Sequence, residues 1–188
     1  MNKQLIGFVL AVTRASPGLA ALPVGAKAPD FVTSGAVAGK PFRLHLAREL
    51  RKGPVVLYFY PKAFTKGCTL EAHAFSEASA DFHKMGAQVI GMSADDLPTL
   101  QRFSVEECRN AFPVATATGA TIKAYDVAMP VVGKLTTMSN RTSYVIGRNG
   151  RIAFVHSDLD WSKHVSETLS AVKKLNGRSE IVRLIPAP

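Results

Sequence analysis

The chain reads as one α/β domain, a mixed sheet flanked by helices, and three observations predict this. Short apolar runs suited to strands alternate with segments whose apolar residues recur every three or four positions. The order runs strand, helix, strand, helix, strand, then two adjoining strands and a closing helix, the pattern of a layered α/β sandwich. Arg148-Asn149-Gly150 separates the last two strand-like runs, and Asn-Gly at that place is a strong hairpin signal. With 188 residues, 47% of them hydrophobic and 20% charged, the chain can bury a core of its own.

Taken in order, residues 22–31 form an extended lead-in, since Pro23 and Pro29 argue against a helix. Residues 31–44 suggest a strand or hairpin around Gly35 and Gly39. Pro54-Val55-Val56-Leu57-Tyr58-Phe59-Tyr60 is apolar throughout and reads as a buried strand. A helix over 68–85 places Leu70, Ala74, Phe75, Ala78, Phe82 and Met85 on one face, and Gly86 stops it. Residues 87–93 read as the next strand. Asp95, Asp96 and Pro98 start a further helix, with Leu100 and Phe103 inward and an end near Asn110. A strand over 112–117 and a short helix over 121–125 follow. Residues 141–146 and 151–156 make the hairpin. The last helix covers 162–175, with Val165, Leu169, Val172 and Leu175 on one face, and residues 176–188 remain as a tail.

Residues 1–21 differ from the rest. A basic start at Lys3, an apolar stretch over 5–12 and small residues around Ala20 and Ala21 read as a secretory signal peptide. Arg14 interrupts that pattern, and an amphipathic arm is the other reading. The expectation is a periplasmic or secreted protein, with a cytoplasmic one as the alternative. No apolar run approaches the ~20 residues of a membrane-spanning helix. The net charge of +9 is scattered rather than gathered into a stripe with aromatics, so nucleic-acid binding is not supported.

The chemistry concentrates after the strand at 54–60, in Pro61-Lys62-Ala63-Phe64-Thr65-Lys66-Gly67-Cys68-Thr69-Leu70-Glu71. Cys68 sits at a strand-to-helix corner, where unpaired N–H groups and the helix dipole favour a thiolate. Thr65 can set a hydroxyl beside the sulfur, Pro61 can stiffen and shield the loop, and Lys66 reads as a solvated charge. Two histidines ten apart, His73 and His83, and the distant His156 and His164 give no metal-ligand spacing, so no metal and no other cofactor is expected. His73 reads as a surface residue. Cys68 lacks a Cys-x2-Cys partner, which argues against a disulfide oxidoreductase.

The spacing Pro-x3-Thr-x2-Cys resembles the active-site loop of the peroxiredoxins, thiol peroxidases of thioredoxin-like fold, and the segment order resembles theirs over residues 22–175. The Q-type group, also called bacterioferritin comigratory proteins, is the most similar. The resemblance implies a thioredoxin-like fold, reduction of hydrogen peroxide and organic hydroperoxides, and Cys68 as the peroxide-attacking thiol. It makes Arg141, at the start of a strand, the partner of sulfur and peroxide, and Glu71 the residue that holds Arg141. Many Q-type members carry a resolving cysteine five positions after the first; His73 stands there in this chain. Cys108, forty residues on and placed near the end of the second long helix, is the resolver expected by analogy with other members, with a thioredoxin-like donor as reductant. Glu106 and Glu107 beside it would slow its attack. Resolution by an external thiol, and a non-enzymatic sensor or chaperone-like role, stay open. The group also suggests a monomer.

Overall fold

The computed structural model describes residues 21–129 and 138–184. The leader expected over residues 1–21 therefore lies almost wholly outside the described residues. Seven strands form a single mixed sheet: β1 (Val32–Val37), β2 (Lys40–His45), β3 (Val55–Phe59), β4 (Gln88–Ser93), β5 (Val114–Thr116), β6 (Thr142–Ile146) and β7 (Ile152–Ser157). Their spatial order is β2-β1-β5-β4-β3-β6-β7. β3 runs parallel to β4 and antiparallel to β6, and β4 runs parallel to β5.

β3 explains why this sheet is covered on both faces. Every one of its residues is buried. Val56 and Tyr58, with Tyr60 just beyond, enter one core cluster, with Phe75 and Phe82 of α2 (Lys66–Lys84), Leu100 and Phe103 of α3 (Leu97–Glu106), and Val172 of α5 (His164–Leu184). Val55, Leu57 and Phe59 point the other way, to Leu46 and Leu50 of α1 (Leu46–Lys52) and Ile122 of α4 (Gly119–Ala124). The period of two along a strand thus builds two cores from one continuous apolar run.

Local chemistry sets the ends of these elements. β1 and β2 form the expected hairpin, and its turn places Ala38 and Gly39 both at positive φ, as a two-residue type I′ turn requires. The β6–β7 hairpin turns at Gly150, φ 73°, where a side chain would be strained. Asp96 caps α3, its carboxylate accepting from the Thr99 N–H at 2.9 Å.

Four expectations need correction. α1 has no counterpart among the elements expected from the sequence; its signal is Leu46 and Leu50, four apart and both buried. α2 begins at Lys66, two residues before the expected start, and Leu70 is exposed. The inward stripe is Cys68, Glu71, Ala72, Phe75, Ser79 and Phe82, which buries a carboxyl where the pattern offered a leucine. α3 ends at Glu106, so Cys108 lies beyond the helix in a turn where Arg109 and Asn110 adopt φ 50° and 62°. α5 runs past residue 175 to Leu184. Asn176 does not stop it: its side-chain amide donates to the Met85 carbonyl at 2.8 Å, tying α5 to the end of α2. Among the described residues no helix is long and apolar enough to cross a membrane.

Candidate active site

The site is built where β3 hands over to α2. Tyr60 follows directly on β3, and its carbonyl accepts from the buried Ser139 hydroxyl at 2.9 Å. The loop is then anchored by Asp95, whose carboxylate accepts from the Ala63 N–H at 2.8 Å and from the Ser93 hydroxyl at 2.8 Å. Phe64 takes a left-handed conformation, φ 62°, and is held edge-on against Phe103 of α3 with ring centres 5.2 Å apart. Pro61 is half-buried at the start of this loop.

Thr65 is the N-cap of α2 in extended geometry. Its hydroxyl donates to the Lys62 carbonyl at 2.9 Å, which closes the loop rather than capping the helix. The first intrahelical bond runs from the Thr69 N–H to the Thr65 carbonyl, 2.9 Å. The N–H groups of Lys66, Gly67 and Cys68 therefore have no intrahelical carbonyl to reach. Cys68 stands on the inward face of this first turn and is 2% exposed.

Arg141 arrives from the residue preceding β6, and its guanidinium is fixed in three directions. Nε donates to the Leu159 carbonyl at 2.9 Å, Nη1 pairs with Glu71, and Nη2 donates to Cys68 Sγ at 3.5 Å. The backbone is tied as well, since the Asp158 N–H donates to the Arg141 carbonyl at 3.2 Å. Gly67 makes room for the guanidinium: a Cβ there would sit 3.2 Å from Nη2 and 3.8 Å from Trp161 Cδ1. Glu71 is fully buried, and burial pushes its carboxyl up to about 8 against the opposing pull of Arg141.

Behind Glu71 lies a layer that the sequence did not single out. His164, the first residue of α5, is fully buried. Its Nε2 lies 2.9 Å from the Asp158 carbonyl and its Nδ1 2.8 Å from the Ser143 hydroxyl. A carbonyl can only accept, so Nε2 carries the proton and Nδ1 accepts from Ser143. Burial pushes this imidazole down to about 4, keeping it neutral. His156 of β7 packs edge-on against it, ring centres 4.6 Å apart. No local motif links these residues. Ser143 carries only the weak signal of alternate placement on its strand, and His164 that of opening a helix.

Cys108 is fully buried in the same apolar cluster as Cys68. Burial first, then neighbouring Glu107, pushes its thiol upward. Its turn is bound to α2 by three side-chain contacts: His73 Nε2 to Glu107 Oε2 at 2.7 Å, Arg109 Nη1 to Glu77 Oε1 at 3.2 Å, and the Ser79 hydroxyl to the Ala111 carbonyl at 3.2 Å. His73, expected at the surface, is half-buried and joins the helix of one cysteine to the turn of the other.

The arrangement brings a thiol, a fixed cation and helix-start N–H groups to one point, a set suited to stabilising a thiolate and the charge that builds on an oxygen it attacks. The AhpC/TSA family model matches residues 24–155. Chloroplastic peroxiredoxin Q of Oryza sativa subsp. japonica is 30% identical over 185 residues, covering 90% of this chain and 82% of the rice protein. The crystal structure of peroxidoxin BcpB from Mycobacterium tuberculosis is 30% identical with a TM-score of 0.69, over 81% of this chain and 97% of that one. A structure of Xanthomonas campestris peroxiredoxin Q is 26% identical with a TM-score of 0.66, over 76% of this chain and 90% of that one.

Proposed function

The chain belongs to the AhpC/TSA family and is a thiol-dependent peroxidase of thioredoxin-like fold; we propose that Cys68 is its peroxide-attacking thiol, Arg141 its charge-stabilising donor and Cys108 its resolver. The observation that carries this reading is the three-way fixation of Arg141, which holds one guanidinium nitrogen on Cys68 Sγ.

The Cys68 thiolate attacks one oxygen of hydrogen peroxide or an organic hydroperoxide. The O–O bond breaks, its electron pair leaves on the second oxygen, and that oxygen takes up a proton. Arg141 and the N–H groups of the first turn of α2 supply donors that need no reorganisation as charge develops. Glu71 holds Arg141 in place; Thr65 and Pro61 shape the loop that presents the sulfur. The sulfenic acid on Cys68 then condenses with the Cys108 thiol, releasing water and forming a disulfide. A thioredoxin-like donor reduces that disulfide by thiol exchange. The position of Cys108 outside α3, in a turn with two left-handed non-glycine residues, supports a resolver released by local rearrangement instead of helix unwinding.

One observation favours a second reading. Cys108 is fully buried and its thiol is pushed upward, which suits a structural cysteine and resolution by an external thiol. Export through residues 1–21 to the periplasm or beyond, and a monomeric state, complete the proposal, the first supported by the leader-like composition of that segment.

The test is peroxide turnover with a thioredoxin-like reductant. Cys68→Ser abolishes it, and Cys108→Ser abolishes recycling by that donor while leaving one round of Cys68 oxidation. Turnover retained by Cys68→Ser would refute the assignment.

A further inference from the structure

Around the sulfur, two acids compete for one cation. Cys68 Sγ and the Glu71 carboxyl both pair with the Arg141 guanidinium. Among the described residues no other cation is hydrogen-bonded to either. A resting site with both acids ionised would carry a surplus negative charge in a place where Cys68 is 2% and Glu71 0% exposed.

The second carboxyl oxygen shows which acid keeps a proton. Glu71 Oε1 is fully buried and has no hydrogen-bond partner. His164 Nδ1 lies 3.7 Å from it. That nitrogen bears a lone pair, because Nε2–H is committed to the Asp158 carbonyl and the Ser143 hydroxyl donates to Nδ1. An ionised Oε1 would face a lone pair with no donor, a costly arrangement in the interior; a protonated Oε1 faces it with a hydrogen. Two other titratable groups lie in this region, and neither is hydrogen-bonded to Oε1. Tyr58 on β3 is a buried phenol with its hydroxyl unpartnered, and His156 on β7 packs edge-on against the His164 ring. The upward push that burial gives the Glu71 carboxyl accords with this geometry.

We propose that Glu71 is the proton store of the site: in the reduced enzyme it holds, as a neutral carboxylic acid facing His164, the proton that Cys68 has given up, and it releases that proton when Cys68 is oxidised. This rests on the peroxidase reading above. The balance closes without an outside proton. Thiolate, carboxylic acid and hydroperoxide become sulfenic acid, carboxylate and alcohol, or water when the substrate is hydrogen peroxide. The attacked oxygen keeps its hydrogen and stays on sulfur; the leaving oxygen receives, through solvent, the equivalent of the Glu71 proton. Once sulfur is neutral, Arg141 has Glu71 as its one counter-charge, and the carboxyl ionises.

The experiment counts protons. Cys108→Ser protein, which stops at the sulfenic acid, is mixed with one equivalent of hydrogen peroxide at neutral pH in weakly buffered indicator dye. Proton uptake is compared with sulfenic acid trapped by a dione reagent. The expected uptake is near zero for Cys108→Ser and near one per sulfenic acid for Cys108→Ser with Glu71→Gln, where the store is gone and the hydrogen bond to Arg141 is kept. Equal values in the two proteins overturn the proposal: near one in both means Glu71 does not change its protonation state on oxidation, and near zero in both means the thiol itself keeps the proton. An infrared difference spectrum of Cys108→Ser protein decides the matter should Glu71→Gln fail to fold or to oxidise. Loss of a protonated-carboxyl band on oxidation supports the proposal, and no loss overturns it. Absence of any trapped sulfenic acid instead refutes the peroxidase reading of Cys68.

Discussion

Arg141 Nη2 meets Cys68 Sγ at 3.5 Å, although 73 positions separate the two residues in the chain. The contact exists because β6 pairs antiparallel with β3, with Thr142 opposite Phe59, so the residue before one strand lies beside the loop after the other. Removing one fixed donor to a developing anion typically costs 10²–10³ in rate. Arg141→Ala is expected to slow Cys68 oxidation by about 100-fold or more. Arg141→Lys keeps the charge but cannot span Leu159, Glu71 and Cys68 together, and is expected to fall between. Trp161, the single tryptophan, lies against this site and offers a fluorescence signal for stopped-flow measurement.

Gly67 is expected to separate activity from stability. Alanine in a helical position usually gains about 0.5–1 kcal/mol over glycine. Here its Cβ would press on Arg141 Nη2 from 3.2 Å. Gly67→Ala is therefore expected to match or exceed the parent in thermal unfolding while oxidising Cys68 about tenfold more slowly, since small misplacements of positioned groups are costly.

A hydrogen bond between His73 and Glu107 joins α2 to the turn that carries Cys108. A partly exposed hydrogen bond of this kind contributes about 1 kcal/mol. His73→Ala in a Cys68→Ser background is expected to raise the labelling rate of Cys108 by an aromatic disulfide reagent about fivefold, the factor that such an energy corresponds to. An unchanged rate would mean that the contacts of Arg109 and Ser79 hold the turn by themselves.

His164 gives a pH-dependent stability of known sign. Its native imidazole is pushed down to about 4 from the ordinary 6.5, so the unfolded chain binds the proton first as pH falls. The contribution is present above about 6.5 and is lost as pH drops toward 4. Glu71 has the opposite sign: raised from 4.5 to about 8, it favours the native state below 4.5 and loses that contribution as pH rises through 8. Denaturant unfolding across this range is expected to show a smaller acid-side loss in His164→Asn and a smaller alkaline-side loss in Glu71→Gln.

Much of this molecule was legible in its residues. The run at 54–60 announced a buried strand, and Asn149-Gly150 announced the β6–β7 hairpin. The loop from Pro61 to Glu71, with Arg141, supplied the members of the candidate site. The rest was hidden for physical reasons. Glu71 occupies an inward position that periodicity reserves for an apolar residue, and its burial depends on an arginine seventy positions away. Asn176 resembles a helix stop until its amide is found on the Met85 carbonyl of another helix. Cys108 appeared helical because Glu106-Glu107-Cys108-Arg109 favours a helix locally, whereas the chain turns at Arg109 and Asn110. The His164 layer arises from tertiary contact alone.

Intact mass after one equivalent of hydrogen peroxide, with and without a thiol trap and followed by peptide mapping, tests the central claim most directly. The account predicts a loss of two hydrogens and a peptide in which Cys68 and Cys108 are linked. A single added oxygen trapped at Cys68 with Cys108 free would contradict Cys108 as resolver and leave a one-cysteine peroxidase. A Cys68 that stays unmodified while peroxide is consumed would contradict the account at its root.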